Sequence, residues 1–240
     1  MPTRPLLKAL TEAGIGSRRH MADAIREGKV IINGEIAEDF RHPIDPATDR
    51  VTVNGKAIDL KPEKPVCLML HKPKGILSTT RDDRGRRTVM DILPRDYRHL
   101  RLFPVGRLDK DSTGLLLLTN DGGLTYRLTH PRFEHEKEYL VYIKGNLTPE
   151  EISKLEQGIT LEDGVTSPAT IRKVTSMPPF NYSIAIHEGR KRQVRRMFDS
   201  LGHQVLALKR VRIGRLSLGD LKEGNVRQLS TQEIGKLLDN

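Results

Sequence analysis

The chain has 240 residues, of which 36% are apolar, and 41 basic against 31 acidic side chains give a formal net charge of +10. With 20 glycines added, that is enough material for a packed core, which excludes wholesale disorder, and so basic a chain points to a polyanion, either nucleic acid or an anionic membrane surface. The single cysteine, Cys67, excludes an internal disulfide and a multi-cysteine zinc site and suits a reducing cytoplasm; no apolar run reaches the roughly 18–20 residues of a membrane span, and Met1-Pro2-Thr3-Arg4-Pro5 lacks the apolar stretch of a signal peptide.

Residues 1–60 hold nine basic and nine acidic side chains, so the whole excess falls in 61–240, with 32 against 22. Leu6, Leu7, Leu10 and Ala13 share one helical face, and Gly14 stops that helix. A second helix follows Ser17, with Met21 and Ile25 inward and Gly28 at its end. Lys29-Val30-Ile31-Ile32 reads as a strand running into an Asn33-Gly34 turn, and Val51-Thr52-Val53 precedes Asn54-Gly55 in the same way. The result is a small α+β module with one basic end.

Three stretches of this module, Leu6-Leu7-Lys8-Ala9-Leu10, Ala13-Gly14-Ile15-Gly16-Ser17-Arg18-Arg19, and Ile25-Arg26-Glu27-Gly28-Lys29-Val30 through Asn33-Gly34, resemble the S4 RNA-binding domain. Pro5 stands where that module carries a basic residue, with Arg4 one position earlier. Arg18, Arg19, Arg26 and Lys29 sit near helix ends and a turn, where guanidinium and ammonium groups meet phosphates. The plainer alternative is a solvated helical hairpin. Leu60-Lys61-Pro62-Glu63-Lys64-Pro65 then has the prolines and alternating charge of an exposed linker. The expected division is an S4-like domain at 1–60, a linker at 61–65 and a second domain at 66–240.

Past the linker, Val66-Cys67-Leu68-Met69-Leu70 predicts a buried strand, and Lys72-Pro73-Lys74-Gly75 breaks it with a turn that is either solvated or in contact with RNA. Leu115-Leu116-Leu117-Leu118-Thr119 predicts another strand, closed by Asn120-Asp121-Gly122-Gly123. From Lys137 to Lys144 the residues alternate, with Tyr139, Val141 and Ile143 on one face. Thr148-Pro149-Glu150-Glu151 opens a helix with a capping box and Gly158 ends it; further strands are expected at 169–175 and 182–187. Strands outnumber helices without strict alternation. The fold class is therefore α+β, a mixed and mainly antiparallel sheet with flanking helices, and neither a P-loop nor a Gly-x-Gly-x-x-Gly run suggests a nucleotide fold.

Two stretches are dense in chemistry. Gly106-Arg107-Leu108-Asp109-Lys110-Asp111-Ser112-Thr113-Gly114 is a polar, glycine-bounded loop feeding the strand at 115, where a carboxylate is held rigid enough to act as a nucleophile or serves as an ordinary turn residue. Asp109 and Asp111, two apart in a strand-like loop, should point to opposite faces, which argues against a metal pair. In Glu188-Gly189-Arg190-Lys191-Arg192-Gln193-Val194-Arg195-Arg196-Met197-Phe198, the residues Val194, Met197, Phe198 and Leu201 mark a core-facing helix. At about 100° per residue, Arg195 lies on the flank of that stripe, able to reach a partly buried acid, and Arg196 lies opposite it, facing solvent or phosphate. Residues 190–215 carry nine basic side chains and one acid, Asp199.

Gly106-Arg107-Leu108-Asp109 through Ser112-Thr113-Gly114-Leu115-Leu116-Leu117-Leu118-Thr119-Asn120-Asp121-Gly122, then Lys137-Glu138-Tyr139, then Glu188-Gly189-Arg190 with Arg192-Gln193-Val194-Arg195-Arg196-Met197, resemble in order the motifs of the pseudouridine synthases of the RsuA/RluB type, over residues 66–230. The resemblance implies isomerisation of a uridine in ribosomal RNA, with no cofactor and no metal. It implies that Asp109 is the catalytic carboxylate, Tyr139 the ring over the target base, Arg195 the basic partner of Asp109, and Arg107 a residue that helps fill the space of the flipped nucleotide. Arg190, Arg192, Gln193 and Arg196 are expected at the RNA. The expected partner is large-subunit ribosomal RNA or an assembly intermediate, met in the cytoplasm by a monomer that binds no membrane. The alternatives are a small-subunit enzyme and a non-catalytic RNA-binding assembly factor.

Overall fold

The computed structural model describes residues 3–238, and the chain divides into two compact units, Met1–Pro65 and Val66–Asn240. The first unit runs β1 (Arg4–Pro5), α1 (Leu6–Glu12), α2 (Arg18–Arg26), β2 (Val30–Ile32), β3 (Glu35–Ile36), β4 (Pro43–Ile44), β5 (Val51–Val53) and β6 (Lys56–Ile58). Leu6, Leu10, Met21 and Ile25 pack with Val30, Val51 and Val53 into one small core. Asn33-Gly34 and Asn54-Gly55 all adopt positive φ, the backbone needed by the tight turns that join β2 to β3 and β5 to β6 in a four-stranded sheet of order β3-β2-β5-β6. The stretch 61–65 belongs to this unit: Lys61 N–H is held by the Asp59 carboxylate and Glu63 N–H by the Glu12 carbonyl.

The second unit contains β7 (Cys67–Lys72), β8 (Phe103–Val105), β9 (Thr113–Thr119), α3 (Gly122–Thr129), β10 (Lys137–Ile143), α4 (Pro149–Gln157), β11 (Thr160–Leu161), β12 (Gly164–Val165), β13 (Thr170–Lys173), β14 (Tyr182–Ile186), α5 (Gln193–Asp199), β15 (Val205–Ile213), β16 (Leu216–Ser217), β17 (Val226–Gln228) and α6 (Thr231–Leu238). Its nine-stranded sheet has the order β13-β14-β10-β15-β9-β7-β17, with β8 on β9 and β16 on β15. Every pairing is antiparallel except β15 with β9, so the α+β expectation holds.

The sheet is covered on both faces. Leu116, Leu118, Tyr139 and Val141 pack with Leu155 of α4 and Val194, Met197 and Phe198 of α5; Leu115 and Leu117 pack with Leu124 and Leu128 of α3 and Leu237 of α6. That is why β9 is an unbroken apolar run instead of an alternating one. The capping box at Thr148 and Glu151 forms as read from the sequence. No helix among the described residues is long and apolar enough to cross a membrane.

Candidate active site

A cleft of about 690 Å³ opens between the β8–β9 loop and the start of α5 and is lined by Arg107, Asp109, Tyr139, Arg192 and Arg210, among others. Its size is that of a site for a small organic group. Asp109 sits on the loop between β8 and β9, and backbone bonds set the loop's shape. Ser112 N–H closes a turn on the Asp109 carbonyl at 3.1 Å, and Gly75 N–H holds the Lys110 carbonyl at 2.7 Å. Ser78 brackets Leu108, its hydroxyl donating to the Leu108 carbonyl at 2.9 Å and accepting from the Leu108 N–H at 3.1 Å. The Asp109 side chain is one-third exposed. Tyr139, on β10, is 8% exposed and lines the same cleft.

The carboxylate partners differ from the sequence expectation. Arg195 does not pair with Asp109; its Nη2 lies 3.3 Å from the Asp111 carboxylate. Its Nη1 donates to the Val205 carbonyl at 2.8 Å and Nη2 to the Asp111 carbonyl at 3.2 Å, so the buried guanidinium ties the loop to β15. The cation nearest Asp109 is Arg192, at 3.9 Å, and the same Nη1 reaches Asp111 at 3.2 Å. One guanidinium touches both acids, so Asp109 and Asp111 do not point to opposite faces: the loop turns at Asp109–Ser112 and loses the alternation of a strand. Burial alone would raise the Asp111 carboxyl, but the charge of Arg195 and a hydrogen bond from Arg192 carry it below its ordinary value.

Of the residues expected at the RNA, Arg190 and Gln193 line the cleft beside Arg192 while Arg196 does not, and Arg190, Gln193 and Arg196 are all bonded within the protein. Arg196 makes a two-pronged pair with Asp163 at 2.9 and 3.0 Å. Arg190 donates to the carbonyls of Gly164 and Val165 and to Glu188. Buried Gln193 donates to Glu188 and accepts the Arg190 N–H. Together they clamp the β11–β12 hairpin against the start of α5. Helical phase places Arg196 away from the core but cannot see the hairpin that folds over it. Arg212 is likewise absorbed by Glu136 and Glu138. Arg192 remains at the mouth, with a left-handed backbone at φ 51° that turns its side chain toward the loop.

In the first unit Arg18 and Arg19 are exposed in the first turn of α2, where they oppose the helix dipole, while the Ser17 hydroxyl caps the His20 N–H at 3.0 Å. Arg26 pairs with Asp23 and lies 5.3 Å from the Phe40 ring centroid; Lys29 pairs with Glu27.

Sequence reasoning missed two cations. Lys72 is neither a solvated turn residue nor an RNA contact: it is fully buried, with Nζ on the Ser112 carbonyl at 2.8 Å and the Pro73 carbonyl at 2.9 Å. Burial pushes its ammonium down to about 8 against the opposing pull of Asp111 and Asp109. Its place at the end of an apolar strand was the available signal. Arg210 is 4% exposed and pairs across the sheet with Tyr139 on one side and Gly114 on the other; only strand alternation through β15 marks it as inward.

A mixed sheet that sets Asp109, Tyr139 and several arginines around a single cleft, with the Asp109 loop held by backbone bonds, defines a catalytic cleft. Residues 66–200 match the RNA pseudouridylate synthase model and residues 4–48 the S4 domain. The ribosomal large subunit pseudouridine synthase B of Bacillus subtilis (strain 168) is 41% identical over 97% of this chain and 94% of its own length. An RNA pseudouridine synthase of Aquifex aeolicus (strain VF5) is 40% identical over 96% of this chain and 92% of its own. A crystal structure of a pseudouridylate synthase matches with a TM-score of 0.68 at 33% identity, covering 98% of this chain and 99% of that one. The chain belongs to the RNA pseudouridylate synthase family, whose activity is an isomerisation, and carries an S4 domain in front of it.

Proposed function

We propose that the protein converts a specific uridine of large-subunit ribosomal RNA to pseudouridine in the cytoplasm, with Asp109 as the catalytic carboxylate. The observation that carries this is the cleft itself, where Asp109 on a braced loop and Tyr139 on β10 face one space. The reading is supported by the name of the Bacillus subtilis relative, which matches along almost its whole length.

In this reading the target uridine leaves its stack, at a cost of a few kcal/mol, and its base lies against the Tyr139 ring. Asp109 stands at ribose C1′, with the Arg192 guanidinium 3.9 Å from its carboxylate. Arg195 acts one step back: through Asp111 and two carbonyls it fixes the loop that presents Asp109. Arg107, exposed on the same loop, helps fill the gap the nucleotide leaves. The exposed Arg18 and Arg19 meet phosphates, and their unfavourable place on α2 is then offset by RNA. Arg26 and Lys29 contribute only by exchanging their present ion pairs. Phosphate contacts of this kind make affinity fall with salt.

The test is to map pseudouridines in ribosomal RNA from cells with and without the protein by carbodiimide-dependent primer stops. One large-subunit site should vanish; loss of a small-subunit site instead, or of none, refutes the assignment. Asp109→Asn should abolish pseudouridine formation while leaving RNA affinity within about twofold, since it removes a charge that repels RNA. Undiminished turnover by that variant refutes the catalytic role.

A further inference from the structure

Arg210 has no part in the reading above, yet it belongs to the lining of the site. It lies on β15 directly opposite Tyr139 of β10 and Gly114 of β9. It lines the cleft, and its guanidinium carbon stands 6.0 Å from the Tyr139 ring centroid. Nε donates to the Leu115 carbonyl at 2.8 Å. Of its terminal nitrogens, Nη2 is buried without a partner. No carboxylate among the described residues lies within 4.0 Å of it.

A buried guanidinium that leaves Nη2 without a partner is a costly way to brace a carbonyl, because the unmade bonds of that nitrogen forfeit their hydration. Its charge adds to the cost: Lys137 lines the same cleft, and its ammonium is pushed down to about 8 by burial and then by Arg210. A neutral donor would hold Leu115 without that penalty. The unused donors sit beside the tyrosine ring on which the base is read to lie.

We propose that the terminal N–H groups of Arg210 anchor a carbonyl oxygen of the target uracil and hold the ring while it is detached from the ribose. This rests on the reading that the cleft takes a uridine. When the C1′–N1 bond breaks, its electron pair stays on the uracil and spreads to the carbonyl oxygens, while Asp109 balances the electron-poor C1′. The ring then bonds C1′ through C5 with a pair from its own π system, and the C5 proton is lost as N1 gains one. Arg210 transfers no proton. It gains interaction as the ring becomes anionic, so its effect falls on the chemical step.

The experiment is single-turnover isomerisation of an RNA fragment carrying the mapped uridine, or 2-thiouridine or 4-thiouridine in its place. A sulfur atom accepts hydrogen bonds poorly, so wild-type protein should be about tenfold slower at one of the two thio positions. Arg210→Met should slow uridine about ten- to hundredfold, the worth of a hydrogen bond to a charged group, with RNA affinity within about threefold and no added thio penalty. A thio penalty that persists undiminished in Arg210→Met overturns the proposal and leaves Arg210 a brace. If that variant does not fold, the wild-type comparison decides, and equal rates on all three substrates overturn the anchoring role. Wild-type protein that makes no pseudouridine in any fragment refutes the functional reading instead.

Discussion

Gly114→Ala tests how tightly the site is assembled. Gly114 sits at φ +107°, a backbone side chains rarely adopt, where β9 runs parallel to β15. A Cβ built there would lie 2.2 Å from the Arg210 carbonyl oxygen, 2.6 Å from its nitrogen and 2.9 Å from its carbonyl carbon. These are main-chain atoms of the neighbouring strand, so no rotamer change relieves the overlap and the strands must separate. Positive-φ strain costs about 1–2 kcal/mol and overpacking about 1–3 kcal/mol. Against this, alanine restricts the unfolded chain by about 0.4–1 kcal/mol. The net loss should be about 2–4 kcal/mol, assigned to the second unit. Urea unfolding followed by far-UV circular dichroism measures it, since the chain has no tryptophan. Activity should fall as well, because the separation lies between the Asp109 loop and Arg210. Gly122→Ala is the control from the same motif: its Cβ meets nothing within 4 Å, and it should be neutral or stabilising by up to about 1 kcal/mol. Gly114→Ala within about 0.5 kcal/mol of wild type, with full activity, would refute the close-approach argument.

Three further outcomes follow from buried groups and clamps. Folded protein releases the Lys72 proton near pH 8 while the unfolded chain keeps it to about 10.4. Between those values the unfolded state binds more protons, so wild-type stability should rise with pH relative to Lys72→Met, by at most about 1.4 kcal/mol per unit; a flat difference in urea titrations across pH 7–10 contradicts the burial of the charge. Cys67 is buried, and burial followed by the Asp121 charge pushes its thiol up to about 12, so iodoacetamide should label it only in denaturant, and stoichiometric labelling of folded protein counts against this. Arg196→Gln should leave RNA affinity within about twofold but speed amide exchange in the β11–β12 hairpin; a large loss of affinity with unchanged exchange would return Arg196 to the RNA surface.

Local pattern alone determined a good part of this molecule. The two Asn-Gly turns, the Thr148 capping box, the apolar run of β9 and the alternation of Tyr139, Val141 and Ile143 each depend on residues close in the chain, and the ordered motifs around Asp109, Tyr139 and Arg195 marked the family. Partner choice was not legible in the same way. Arg195 was expected on Asp109 and lies on Asp111; Arg196 and Arg190 were expected at RNA and clamp a hairpin some 30 residues away in sequence, at 163–165. A charge's position on its helix follows from the roughly 3.6-residue period, but its partner depends on which distant segment folds against it. Lys72 and Arg210 show the same limit, because burial is set by the strands on either side. The sequence thus determined the fold class and the chemistry's residue types, and tertiary contact decided which cations face the cleft and which hold it together.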